Sequence, residues 1–136
     1  MNEFVEKKRY WGWGVALFVV VVVIFAVSKL PRGFSEDLSI IGQGSPVAVV
    51  VHDKDDLHSH NLLTMIDEIR GDYANRIQFR IVDTGVRQGA MFSETQRVSG
   101  ATLVLFGVDG QRITVLVAVS DTAELVANLD SAFNFF

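Results

Sequence analysis

From Trp11 to Val27 the chain runs seventeen residues without a polar side chain. No soluble strand is that long and that apolar. Extended through Ser28 and Lys29 to Leu30, the run reaches twenty residues, about 30 Å of helix, which matches a bilayer core. Val19 to Ile24 is β-branched throughout, a composition that favours strand in water. In lipid the backbone must satisfy its own hydrogen bonds, so the same residues are expected as helix. Tyr10, Trp11 and Trp13 stand at one end, where an interfacial aromatic belt belongs, and Pro31 closes the other. Residues 11–30 are therefore predicted as a transmembrane helix in contact with the lipid bilayer, preceded by a tail over 1–10. The competing reading is a cleaved signal peptide, with Lys7, Lys8 and Arg9 as its basic region and Ala26-Val27-Ser28 as its cleavage site. The length of the apolar run favours the anchor.

Lys7, Lys8 and Arg9 flank one side of this helix, Lys29 and Arg32 the other. Positive charge is retained on the cytoplasmic side, which gives a cytoplasmic N-terminus. In a Gram-negative cell the protein would be a single-pass inner-membrane protein with a periplasmic C-terminal domain.

Charge divides the chain in the same place. Residues 1–33 hold five basic and two acidic residues, and 34–136 hold seven basic and fourteen acidic. No concentrated basic face is available to bind nucleic acid. The 136 residues suffice for one domain besides the anchor. Cysteine is absent, which excludes disulfides, thiolate metal sites, thiol nucleophiles and dithiol chemistry.

Pro31, Gly33, Gly42, Gly44 and Pro46 mark residues 31–45 as a linker, with one short helix around Ser35 to Ile41. A domain over 46–136 follows. Val47 to Val51 is apolar on both faces, as a central strand should be. After a polar loop, Leu62, Ile66, Ile69 and Tyr73 recur with helical period, and Asp55 or Asp56 can cap that helix. Ile77 to Val82 reads as a second strand, and a short helix is expected around Ala90 to Arg97. Thr102 to Phe106 and Arg112 to Val119 form a hairpin about Asp109-Gly110. Asp121-Thr122-Ala123-Glu124 is a capping box for a last helix with Leu125, Leu129 and Ala132 on its apolar face. A βα crossover followed by a hairpin gives a mixed four-stranded sheet flanked by helices, an α/β fold.

Over residues 34–136 this order resembles the thioredoxin-like superfamily. Pro46 to His52 looks like its first core strand. Met65-Ile66-Asp67-Glu68-Ile69 with Tyr73 resembles the helix after its active site, and Phe79 to Asp83 the next strand. Thr102-Leu103-Val104-Leu105-Phe106 resembles its Thr-x-x-x-Phe strand. Aligned on Asp67-Glu68-Ile69, Asp56-Leu57-His58-Ser59 falls where the family carries Cys-x-x-Cys, and Ala101 where it carries the cis-proline. The resemblance thus implies the fold and not the oxidoreductase activity. A trans peptide is expected before Ala101, because a cis bond there costs about 3 kcal/mol.

Two groups of residues could carry function. His52, Asp53, Asp56, His58 and His60 crowd one loop, and imidazole with carboxylate suits copper or zinc. His58 and His60 diverge on a regular helix, so they converge only if that segment is loop. Otherwise it is a polar loop with acidic caps and incidental histidines. Phe133, Phe135 and Phe136 would form a partner-binding patch if exposed, or pack beneath the sheet. No catalytic residue and no organic cofactor are indicated. The expected function is that of a redox-inactive accessory or assembly subunit of a larger envelope complex, respiratory, secretory or conjugative. It would bind a protein partner. The alternative is metal delivery through the His52–His60 loop.

Overall fold

The computed structural model describes residues 2–28 and 33–135, with side chains at 10–26 and 33–135. It comprises two units, 1–33 and 34–136.

The first unit contains α1, Asn2–Ser28. The β-branched run from Val19 to Ile24 is helical. All its described side chains are exposed. Among the described residues no helix is long and apolar enough to cross a membrane. The described side chains of α1 cover residues 10–26, about 25 Å of helix against about 30 Å of bilayer core. Lys29 to Arg32, including Pro31, lie outside the described residues, as do the side chains of Lys7, Lys8 and Arg9.

In the second unit the strands are β1 (Val47–His52), β2 (Gln78–Asp83), β3 (Thr102–Phe106) and β4 (Arg112–Val117), in the order β2-β1-β3-β4. β1 pairs parallel with β2 and antiparallel with β3, and β4 closes an antiparallel hairpin with β3. The helices are α2 (Leu57–Ile69), α3 (Arg87–Gln96) and α4 (Thr122–Phe133). β1 takes the centre because Val47 to Val51 have no polar side chain to keep wet, and all five are fully buried. Alternate residues serve two cores. Ala48, Val50, Leu103 and Leu105 meet Ile66 and Leu125 on one face. Val47, Val49, Val51 and Val104 face the other, with Val82 and Phe106.

The helical period assigned to α2 is observed for Leu62, Ile66 and Ile69, all buried on the helix, and Tyr73 is buried in the turn that follows it. α3 begins earlier than its sequence suggests. β4 stops at Val117 because Ala118 turns to φ +55°. The peptide before Ala101 is trans, since no cis bond occurs among the described residues.

The segment expected as linker packs on the domain from residue 34 onward. Phe34 joins the first core, with the Arg70 guanidinium 4.5 Å from its ring centre. Ser35 bridges Arg80 in parallel, and its carbonyl accepts from Ile81 N–H at 3.1 Å. The short helix expected over Ser35 to Ile41 does not form. Turns carry Leu38, Ile40 and Ile41 onto the second core, whose apolar face would otherwise stay wet. Gly42 and Gly110 are in the left-handed region and touch closely: a Cβ on Gly110 would stand 2.9 Å from the Gly42 Cα.

Candidate functional site

Strand directions bring the C-terminal ends of β1, β2 and β4 together with the start of β3. A cleft of about 780 Å³ opens there between α2 and the connection from β4 to α4. Met65, Glu68, Ala101, Ala118 and Ser120 are among its lining residues.

On the α2 side stands the tetrapeptide Asp56-Leu57-His58-Ser59. Asp56 is the N-cap, and its Oδ1 accepts from His58 N–H at 3.1 Å. Its other oxygen accepts from Ser59 Oγ–H at 3.4 Å. Ser59 is 0% exposed, and its Oγ accepts from Asp53 N–H at 3.1 Å. Both positions that the family resemblance assigns to cysteine are thus spent on fastening the loop to the helix. Gly100 sits against the same loop: a Cβ there would stand 2.7 Å from the Asp53 Cβ and 3.1 Å from Ser59 Oγ.

The five candidate metal ligands do not converge. Among the described residues no three His, Asp or Glu side chains are placed to hold a metal ion. His52 and His60 do meet, ring edge to ring face, with centroids 4.9 Å apart. Nε2 of His60 lies 2.8 Å from the Lys54 carbonyl. A carbonyl only accepts, so that nitrogen carries the proton and is closed to a metal. Nδ1 of His52 is buried without a hydrogen-bond partner. His58 is exposed on the first turn of α2. The carboxylate of Asp53 accepts from Asp55 N–H at 3.0 Å and that of Asp56 caps α2. Loop and capping chemistry, which favours short-range side-chain to backbone bonds, claims these oxygens first.

The aromatic C-terminus also packs inward as far as it is described. Phe133 and Phe135 are half-buried against the first core and stack at 5.7 Å. Phe135 lies 6.2 Å from the Tyr73 ring, and the Arg76 guanidinium sits 4.7 Å from its centre. These two rings therefore form no free patch; Phe136 lies outside the described residues.

The β4–α4 connection was not legible as part of a site. Ala118, at φ +55°, and Ala101, at φ +59°, both line the cleft in a conformation that usually selects glycine or asparagine. Alanine gives no sequence signal for it. The capping box was legible and closes one wall: Asp121 Oδ1 accepts from Glu124 N–H at 2.8 Å, and Glu124 Oε2 accepts from Ser120 N–H at 2.8 Å. Thr122 Oγ1 donates to Glu68 Oε2 at 3.1 Å, tying that wall to α2.

No protein-family model matches the chain, and no curated protein does. Solved structures do. Thioredoxin O2 from Arabidopsis thaliana in its oxidised state is 17% identical with a TM-score of 0.58, over 70% of this chain and 84% of that one. A thioredoxin from Thermus thermophilus is 18% identical with a TM-score of 0.58, over 67% and 77%. A malarial protein is 15% identical with a TM-score of 0.56, over 65% and 97%. Sheet order, connections and these likenesses agree: residues 34–136 have the thioredoxin-like fold.

Proposed function

We propose that this protein is a redox-inactive thioredoxin-like docking subunit, held to the cell inner membrane by residues 11–30 with its domain in the periplasm, and serving a larger envelope complex. The observation that carries this reading is the cleft. It lies at the sheet end where the fold keeps its chemistry, yet Asp56 and Ser59 there bond only to their own loop and helix. Meanwhile Leu57 and Val117, 69% and 68% exposed, hold apolar surface at that same end. Exposed apolar side chains around a cleft suit a protein partner. The anchor rests on the apolar run and its flanking charges.

Metal delivery by the His52–His60 loop is supported less well. Only two of its imidazoles meet, and among the described residues no three His, Asp or Glu side chains gather.

The test is recovery of tagged full-length protein from its native membrane in mild detergent, with mass spectrometry of companions. Thr64→Trp, at an exposed α2 position in the cleft lining, should fold normally and lose a stoichiometric companion. Recovery of the protein alone, or of the same companion with the Trp variant, would overturn the docking reading.

A further inference from the structure

The charge of the cleft says what kind of segment fits it. Its lining includes three carboxylates, Asp56, Glu68 and Asp121, and no Lys or Arg. Each accepts only from uncharged donors: Asp56 from His58 N–H and Ser59 Oγ–H, Glu68 from Thr122 Oγ1–H, Asp121 from Glu124 N–H. Hydrogen bonds of that kind satisfy lone pairs and leave the negative charge in place. Four of the domain's six arginines are occupied away from the cleft. Arg70 pairs with Asp67, Arg76 lies over Tyr73 and Phe135, Arg80 bonds the Asp37 carbonyl and Arg112 that of Gln96. The lining also offers apolar surface at Leu62, Met65, Ala101, Val117 and Val119, beside the uncharged polar groups of Asn61, Thr64, Ser120 and Thr122 and the imidazole of His58.

We infer that the cleft takes a segment of a partner protein that carries lysine or arginine among apolar residues. The inference rests on the docking reading above and adds the chemistry of the occupant. Apolar side chains of such a segment would cover Met65 and Val117, and its cations would complete the carboxylates. Complementary charge of this kind sets partner choice and association rate more than raw affinity.

The probe is a fluorescent decapeptide of alternating leucine and lysine, read by anisotropy against the full chain in detergent, beside its leucine–glutamate counterpart. Two triple variants bear the same net charge. One neutralises the cleft with Asp56→Asn, Glu68→Gln and Asp121→Asn, where asparagine keeps both caps. The other neutralises exposed carboxylates elsewhere with Glu36→Gln, Asp72→Asn and Glu94→Gln. The lysine peptide should bind and the glutamate peptide should not. The cleft variant should weaken binding about tenfold or more, and the control variant by less than about threefold. No binding of the lysine peptide, equal binding of the glutamate peptide, or equal losses in the two variants would overturn the inference. If Thr64→Trp still costs the native companion while this peptide contrast is absent, docking stands and the charge assignment falls. If Thr64→Trp spares the companion, the docking reading falls with it.

Discussion

Tyr73 Oη donates to Asp130 Oδ1 at 2.6 Å, joining the turn after α2 to the last helix across fifty-seven positions of sequence. The ring is buried, and its hydroxyl is the polar tip that reaches α4. α2 and α4 also share the first core through Ile66, Leu125 and Leu129. This bond therefore fixes the spacing of the two helices that bound the cleft.

Burial, and then the bond to Asp130, push the Tyr73 phenol from 10.0 up to about 12. An acid whose pKa is raised by folding lends stability that is complete below its unfolded value. That stability is lost as pH climbs through the folded value. The domain should thus lose stability between about pH 10 and about pH 12 through this group. Tyr73→Phe should cost about 1–2 kcal/mol near neutrality and flatten that alkaline decline. Urea titrations at several pH values measure both. An unchanged alkaline slope in the variant would remove Tyr73 as the cause.

Gly89 seats α3 against the end of β2. A Cβ at that position would stand 1.8 Å from the Asp83 carbonyl oxygen and 2.4 Å from its carbon. Neither is a flexible side-chain tip, so the helix itself must move. Gly89→Ala should destabilise the domain by about 2–3 kcal/mol, although alanine is the better helix former. Gly85→Ala is the control, since its Cβ would meet only the Asp83 side chain, at 3.2 Å. Equal effects of the two changes in chemical denaturation would contradict the packing described.

Asp56 and Ser59 keep the spacing and helix-start position that a dithiol would need. Ser59→Ala orphans the Asp53 N–H and should cost about 1–2 kcal/mol, and Asp56→Ala, which deletes a cap, about 1 kcal/mol. The double variant Asp56→Cys with Ser59→Cys should close an intramolecular disulfide on oxidation. Its thiol at the helix start should titrate below about 8.5, because a helix N-terminus favours the thiolate. Thiol counts before and after reduction, with thiolate absorbance against pH, report the result. Two persistently free thiols would mean that positions 56 and 59 do not hold disulfide geometry.

What the sequence disclosed followed from periodicity and caps. The valines of β1, the α2 face of Leu62, Ile66 and Ile69, the Asp109-Gly110 hairpin and the Asp121 cap each have a local signature, and each is present in the fold. The segment over 34–45 was misleading because its glycines and prolines signal turns equally well in a linker and in a packed loop. Only the need to cover Val49 and Val104 decides that Leu38 and Ile41 fold inward. The cleft was legible at its α2 side and at the Asp121 capping box. The rest of the second wall depends on Ala118 adopting φ +55°, and alanine is chosen there by no local preference. The histidines are dense in sequence, whereas ligand sets depend on directions in space.

The His60 bond to Lys54 leaves Nδ1 as the nitrogen open to a metal, but a third ligand would require the loop to bring His58 round from the α2 surface. The loop would also have to detach Asp56 from the helix it caps. That release costs about 1 kcal/mol, and two imidazoles without thiolates offset little of that. Calorimetry of the full chain with Zn²⁺ or Cu²⁺ should show no saturable heat at about micromolar concentrations. His60→Ala should leave the titration unchanged. A saturable one-to-one heat that His52→Ala and His60→Ala both abolish would place the ion at this pair, and would move metal handling ahead of docking as the function of this end of the sheet.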